Sequence, residues 1–230
     1  MATIFCSELL YIHVPKTGGV SVTEYLLHAL PRPLFYVHPA PLRQVRDDAG
    51  VTHIEGRSHY TLDKVSPFLV QHGFDLSTFP CVLAVIRNPY DLAVSHYSYF
   101  RKPDMRAERI GPLQILARTA SFRDFVLNGI RDPTLNFMGS FYRFYHLNDR
   151  IPDNLRVIRF ENLAEDTKDS LRLIGIESKR EFPWLNQSER GDYRSYYDEE
   201  LEAAIYSKNK WMFDEGFYER LRLDEVVETA

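Results

Sequence analysis

The stretch Y-I-H-V-P-K-T-G-G-V-S, residues 11–21, decides how the rest of the chain is read. It begins inside a short, largely apolar run, Leu9–Val14, which has the pattern of a strand covered on both faces. It then crosses Pro15, Lys16, Thr17, Gly18 and Gly19 and enters Val20–Leu30, where Val22, Leu26 and Ala29/Leu30 recur on one helical face before Pro31 stops it. A buried strand that feeds a helix through two glycines is, physically, a phosphate cradle. The glycines let the backbone turn its N–H groups inward and the helix offers its positive end, while Lys16 adds a cation and Thr17 and Ser21 add hydroxyl donors. Among 11 glycines this is the only adjacent pair. Lys16 precedes both glycines, whereas a Walker A loop carries its lysine after the last one. The loop therefore suits a 5′-phosphate bearing something other than a γ-phosphate.

The same grammar recurs twice. Val82–Ile86 leads into a helix at Tyr90–Phe100, with Asn88 as N-cap and Pro89 at the first helical position. Arg156–Phe160 leads into Leu163–Ile174, closed by Gly175. Three such units predict an α/β fold with a mostly parallel sheet whose faces are covered by helices. Phe35–Val37 and Thr52–Ile54 read as further short strands and Thr61–Gln71 as a helix despite Pro67. Residues 101–150 read as helices and loops, with an aromatic cluster at Phe137, Phe141, Tyr142, Phe144 and Tyr145 that suits a core or a pocket wall. Asp198–Tyr206 and Lys208–Leu223 carry apolar residues between charges at helical spacing and predict two solvated helices. With no internal repeat and no linker rich in Gly, Ser or Pro, residues 1–230 read as a single domain.

The charge balance, 28 Lys+Arg against 32 Asp+Glu, gives a formal net charge of −4. That argues against a protein that grips nucleic acid nonspecifically, since such a grip needs a basic surface, and no nucleic-acid partner is expected. Residues 198–230 hold ten acids and four bases, so the remainder of the chain is slightly positive. The first residues lack the basic start and apolar run of a signal peptide, and no segment reaches 18 uninterrupted apolar residues, so a cytoplasmic protein without a membrane partner is expected. Cys6 and Cys81 have no C-x-x-C partner and read as free, buried thiols.

A second anion site is suggested by V-L-A-V-I-R-N-P-Y-D-L-A-V-S-H-Y, residues 82–97. Arg87 ends a strand at the carboxyl edge of the sheet, where ligands of open α/β folds bind. Ser95 lies on the helix that follows. A guanidinium fixed there can fork onto a phosphate, with the serine hydroxyl completing its coordination. With both segments in view, the chain resembles the sulfotransferases that use 3′-phosphoadenosine 5′-phosphosulfate (PAPS), particularly the carbohydrate-type and bacterial branch. P-K-T-G-G-V-S is similar to that family's 5′-phosphosulfate loop and R-N-P-Y-D-L-A-V-S to its 3′-phosphate segment. The likeness continues through V-I-R-F-E-N-L (157–163), L-N-Q-S (185–188) and the Y-Y-D-E-E-L…F-D-E-G-F-Y tail.

The resemblance implies a three-layer P-loop-type fold and transfer of a sulfuryl group from PAPS, as co-substrate and without a metal, to an acceptor hydroxyl or amine. It assigns Lys16 to the leaving 5′-phosphate oxygen and Thr17, Gly18, Gly19, Val20 and Ser21 to the 5′-phosphate, the glycines and valine through backbone N–H. Arg87 and Ser95 take the 3′-phosphate. The acceptor's proton needs a base, which related enzymes place between the two phosphate motifs. Here V-T-H-I-E-G-R-S-H-Y, residues 51–60, offers His59 just past a strand end, with Glu55 and His53 as alternatives. The family often shows a His directly after the glycine, where this chain has Arg57, so all three stand as candidates. His13, on the strand entering the loop, reads as a hydrogen-bonded core histidine or as one that supports the site from behind, rather than as a base. With no basic cluster beyond the scattered Arg101–Arg109 segment to track a polyanion, a small-molecule acceptor is expected, lodged among the aromatics of 137–145 and residues near 55–62; a carbohydrate is the alternative. Two other readings compete: a P-loop-type nucleotide kinase, and a non-catalytic nucleotide-binding module.

Overall fold

The computed structural model describes residues 3–39, 49–103, 111–139, 141–185 and 191–223. They fall into two compact units, one formed by Met1–Ile86 with Phe141–Gln187, the other by Arg87–Ser140 with Ser188–Ala230.

The first unit is built on a six-stranded sheet. Its strands are β1 (Ile4–Phe5), β2 (Leu9–Ile12), β3 (Leu34–His38), β4 (Val51–Glu55), β5 (Cys81–Ile86) and β6 (Leu155–Arg159), in the order β4-β3-β1-β2-β5-β6. β2 runs parallel to β5, β5 to β6 and β3 to β4; β1 alone is reversed, antiparallel to both β2 and β3. The sheet is thus mostly parallel, as the strand-helix grammar predicts. β1 is missing from the sequence reading because two residues carry no periodicity to detect. Every residue of β2 and β5 is buried, which explains their unbroken apolar sequences.

One sheet face carries Ile4, Leu9, Tyr11, Leu83 and Val85 against Val22, Tyr25 and Leu26 of α1 (Gly19–Ala29) and Leu163 and Leu171 of α7 (Leu163–Leu173). Phe5 and Phe35, stacked at 4.9 Å, pack with Phe74 and Phe79, which follow α2 (Leu62–Gln71). α7 ends as expected: Gly175 takes a positive φ of 77°, and the Ile176 N–H donates back to the Leu171 carbonyl. Short α6 (Tyr142–Tyr145) buries Tyr145, whose hydroxyl donates to the Val85 carbonyl at 2.8 Å. Cys6 and Cys81 are free and buried, and burial pushes the Cys6 thiol up to about 11.

The second unit is helical. α3 (Pro89–Phe100) opens with Asn88 accepting from the Tyr90 N–H at 3.0 Å and Pro89 in the first turn, a cap that contributes about 1 kcal/mol. α4 (Pro112–Thr119) and α5 (Phe122–Arg131) follow, and Tyr97, Phe122, Phe125 and Phe137 form a ring-packed core. α8 (Glu199–Lys208) is amphipathic as expected. Its buried Glu202 accepts from the Tyr90 hydroxyl at 2.5 Å and from Arg220 Nε at 3.1 Å. The helix expected over Lys208–Leu223 is only α9 (Lys210–Asp214). The Phe217 N–H returns to the Met212 carbonyl and Gly216 has a φ of 72°, so the helix stops at a left-handed turn that apolar spacing alone does not reveal.

The aromatic cluster of 137–145 is packing, not an open wall. Phe137, Phe141, Phe144 and Tyr145 are all buried, Phe137 in the helical unit and the other three in the sheet unit. Most of the L-N-Q-S stretch, residues 186–188, and residues 104–109 of the Arg101–Arg109 segment lie outside the described residues. Among the described residues, no helix is long and apolar enough to cross a membrane.

Candidate functional site

β2 ends at Ile12, and the chain reaches α1 through a loop with alternating backbone handedness: φ is 63° at Lys16 and 77° at Gly18, with Thr17 between them outside the positive region. Alternation of this kind turns successive N–H groups toward one concavity. Gly18 is the α1 N-cap, which leaves the first-turn N–H groups of Gly19 and Val20 without a partner inside the helix. No side chain caps this end and no acid occupies its first turn, so the helix pole is left uncompensated toward an anion. Glycine is required twice here. A Cβ on Gly18 would stand 2.6 Å from Leu163 Cδ2 in addition to the left-handed backbone, and a Cβ on Gly19 would run into the His13 ring.

Lys16 is half-buried, and its left-handed backbone is a strained conformation for a residue with a side chain, a feature that clusters at ligand clamps. Of the two hydroxyls, only that of Thr17 departs from the sequence reading. Thr17 is fully buried and its Oγ1 donates to the Val14 carbonyl at 3.0 Å, so its hydroxyl hydrogen closes the loop and its backbone N–H is what it can offer an anion. Ser21 is buried and its Oγ accepts from the Leu185 N–H at 2.9 Å, which ties the segment after α7 to the first turn of α1; the hydroxyl remains a donor.

The second segment forms its own cluster within the helical unit. Arg87, directly after β5, is buried and donates through Nε to Asp91 Oδ2 at 2.8 Å, through Nη2 to the same oxygen at 2.7 Å, and through Nη1 to Ser95 Oγ at 3.3 Å. Arg87 and Ser95 thus meet as the sequence expects. Asp91 is the residue that expectation omits. One turn beyond Arg87 on α3, it locks the guanidinium plane and offsets part of its charge; R-N-P-Y-D carries this i, i+4 spacing openly. Removing one member of so buried a pair costs about 3–5 kcal/mol, because the other charge is left buried and unpaired.

Of the three base candidates, His59 has the most suitable geometry. Its Nδ1 lies 3.0 Å from the His13 carbonyl, which selects the tautomer that donates from Nδ1 and leaves the Nε2 lone pair to take a proton. Dehydration of its ring nitrogens lowers its proton affinity below the ordinary histidine value, the bond to the carbonyl working against this, although the residue as a whole reaches solvent. His53 is packed between Tyr36 and His38, with ring centroids 5.8 and 5.4 Å away, and both its nitrogens are buried without a hydrogen-bond partner. Glu55 ends β4 at the sheet edge, exposed. Gly56, which follows it, is confined by Val37 and Tyr60.

Of the two readings of His13, the hydrogen-bonded core one fails. His13 is 3% exposed, its Nδ1 is buried and unpartnered, and its ring packs on Gly19 on one side and on His59 on the other, at 4.9 Å and 90°. Burial, reinforced by the neighbouring His59, lowers its pKa to about 3. Loop, His13 and His59 thus form one continuous contact within the sheet unit. Among the described residues, no group of three or more His, Cys, Asp or Glu side chains is placed to hold a metal ion.

No protein-family model matches the chain, and no curated protein matches it in sequence. Solved structures do. A sulfotransferase from Alicyclobacillus acidocaldarius superposes with a TM-score of 0.50 at 17% identity, over 94% of this chain and 97% of that one. The chain shares the fold of that sulfotransferase. The mouse sulfotransferase SULT7A1, complexed with PAP, aligns at a TM-score of 0.49 and 12% identity over 91% of this chain and 86% of that one.

Proposed function

We propose that the protein is a sulfotransferase that moves a sulfuryl group from PAPS to a hydroxyl or amine of a small-molecule acceptor. The observation that carries this reading is the continuous contact from the uncapped phosphate loop through His13 to His59. It supplies a place for a leaving 5′-phosphate and a base in the same unit, with no lysine in the Walker position. The sequence resemblance supports the choice of donor, and the shared fold is consistent with it.

In this reading the backbone N–H groups of Thr17, Gly18, Gly19 and Val20, with the Ser21 hydroxyl, hold the 5′-phosphate. Arg87, oriented by Asp91, takes the 3′-phosphate with Ser95. Neutral His59 accepts the acceptor's proton at Nε2 as the acceptor oxygen or nitrogen bonds to sulfur and the sulfur–oxygen bond to the 5′-phosphate breaks. Lys16 and the loop N–H groups stabilise the charge that gathers on the departing phosphate oxygen, and 3′,5′-bisphosphoadenosine leaves. Positioning and charge stabilisation carry the rate, so no metal is required.

A small acceptor suits a chain whose sequence has no basic cluster beyond the scattered Arg101–Arg109 segment to track a polyanion. With Phe137, Phe141, Phe144 and Tyr145 buried, residues 55–62 beside His59 are the place we assign to it. A screen of hydroxylated and amino-bearing small molecules with 35S-labelled PAPS tests this. Label transfer to at least one of them is expected. Turnover on sulfated polysaccharides alone would overturn the small-acceptor reading.

A further inference from the structure

Histidine 13 is buried against the phosphate loop, yet the transfer chemistry gives it no step. Its Nδ1 is buried and unpaired, a desolvation cost that an apolar side chain of similar size would avoid. Three contacts converge on it: its ring fills the space that a side chain at position 19 would need, its ring edge meets the His59 ring, and its carbonyl takes the His59 Nδ1 hydrogen. Pro15 and Lys16 follow two and three residues later, so any shift of the His13 backbone moves the loop and the His59 anchor together. We propose that His13 is a positioning residue for the transfer, a neutral imidazole strut that seats the phosphate loop at Gly19 and presents His59 Nε2 to the acceptor. This deepens the sulfotransferase reading and rests on it. Neutrality matters because a second positive ring at 4.9 Å would oppose His59 taking up the acceptor's proton; the burial that lowers the proton affinity of His13 secures it.

The test is a double-mutant cycle on turnover, using His13→Ala, His59→Ala and the pair, with His13→Gln as a variant that keeps a polar group of similar reach. His13→Ala is expected to lower kcat about 10²-fold, the scale of a misplaced reacting group. In the His59→Ala background the same change is expected to lower kcat by less than about threefold, because the group it positions is already gone. His13→Gln should recover part of the loss. A merely structural role predicts the same fractional loss in both backgrounds, and that result overturns the proposal.

Nitrogen NMR of the histidine rings keeps the inference separate from the activity assigned above. In the wild-type protein the His59 ring is expected to carry its hydrogen on Nδ1 and to titrate below the ordinary histidine value. In His13→Ala, water reaches the ring and the titration should move up toward the ordinary histidine value. If PAPS is never turned over but His59 shifts in this way, the sulfotransferase reading fails while the strut stands. An identical His59 titration and tautomer in both proteins would overturn the strut whatever the activity. Should His13→Ala not fold, His13→Gln answers the same two questions.

Discussion

Replacing Lys16 by Met is expected to lower kcat by about 10²–10³, the range for losing one group that stabilises charge developing in a transition state. The affinity for 3′,5′-bisphosphoadenosine should fall much less. Methionine keeps the length of the stem and removes only the ammonium. The structure explains why the two effects separate. The N–H groups at the head of α1 and the Ser21 hydroxyl are available to hold the phosphate without Lys16, and the helix end has neither a side-chain cap nor an acid to compete. In the proposed transfer, lysine's distinct contribution lies in the charge that appears on the bridging oxygen only as the sulfur–oxygen bond breaks. Initial rates with PAPS, set beside calorimetric affinities for the bisphosphate, measure both quantities. Equal losses in rate and affinity would show that Lys16 binds the ground state and transition state alike.

Substitution of His59 by Ala is expected to lower kcat by about 10²–10⁴, the range for a general base, with bisphosphate affinity little changed. His53→Ala and Glu55→Gln should keep most of the activity, since the His53 nitrogens are dehydrated within the Tyr36–His38 contact and Glu55 sits exposed at the sheet edge. The pH profile supplies an independent check. A base must be neutral to accept a proton, so turnover is lost as pH falls through the His59 pKa. Dehydration lowers that pKa, so the acid limb should lie below the ordinary histidine value and should disappear in His59→Ala. An unchanged acid limb in that variant would move the base to Glu55 or His53.

Much of this architecture is legible in the sequence because its decisive segments are strongly patterned. Leu9–Ile12 and Cys81–Ile86 are apolar throughout because they are buried throughout, and each runs into a helix with recognisable first-turn chemistry: Gly18–Gly19 in one case, Asn88–Pro89 in the other. The meeting of Arg87 with Ser95 follows from their positions around one helical start. Other features depend on tertiary context. β1 is too short for a period and is a strand only because β2 and β3 bond to it from both sides. The aromatics of 137–145 look the same in sequence whether they line a pocket or fill a core; all but the half-buried Tyr142 fill the core. The end of α9 depends on a left-handed Gly216 that the flanking apolar spacing conceals. Thr17 could have offered its hydroxyl to an anion, but the Val14 carbonyl lies closer at hand. No sequence signal gives the side of His13 on which Gly19 packs, and that contact joins the loop, through His13, to His59.

The central claim is that this loop and Arg87 serve a nucleotide bearing phosphates at both its 3′ and 5′ positions, not a nucleoside triphosphate. Thermal unfolding in the presence of 3′,5′-bisphosphoadenosine, of ATP with Mg²⁺, and of buffer alone tests it most directly. The bisphosphate at a hundred times its dissociation constant should stabilise the fold by about 2.7 kcal/mol, raising Tm by several degrees, while ATP with Mg²⁺ leaves it near the buffer value. Stabilisation by ATP with Mg²⁺ and none by the bisphosphate would contradict the account.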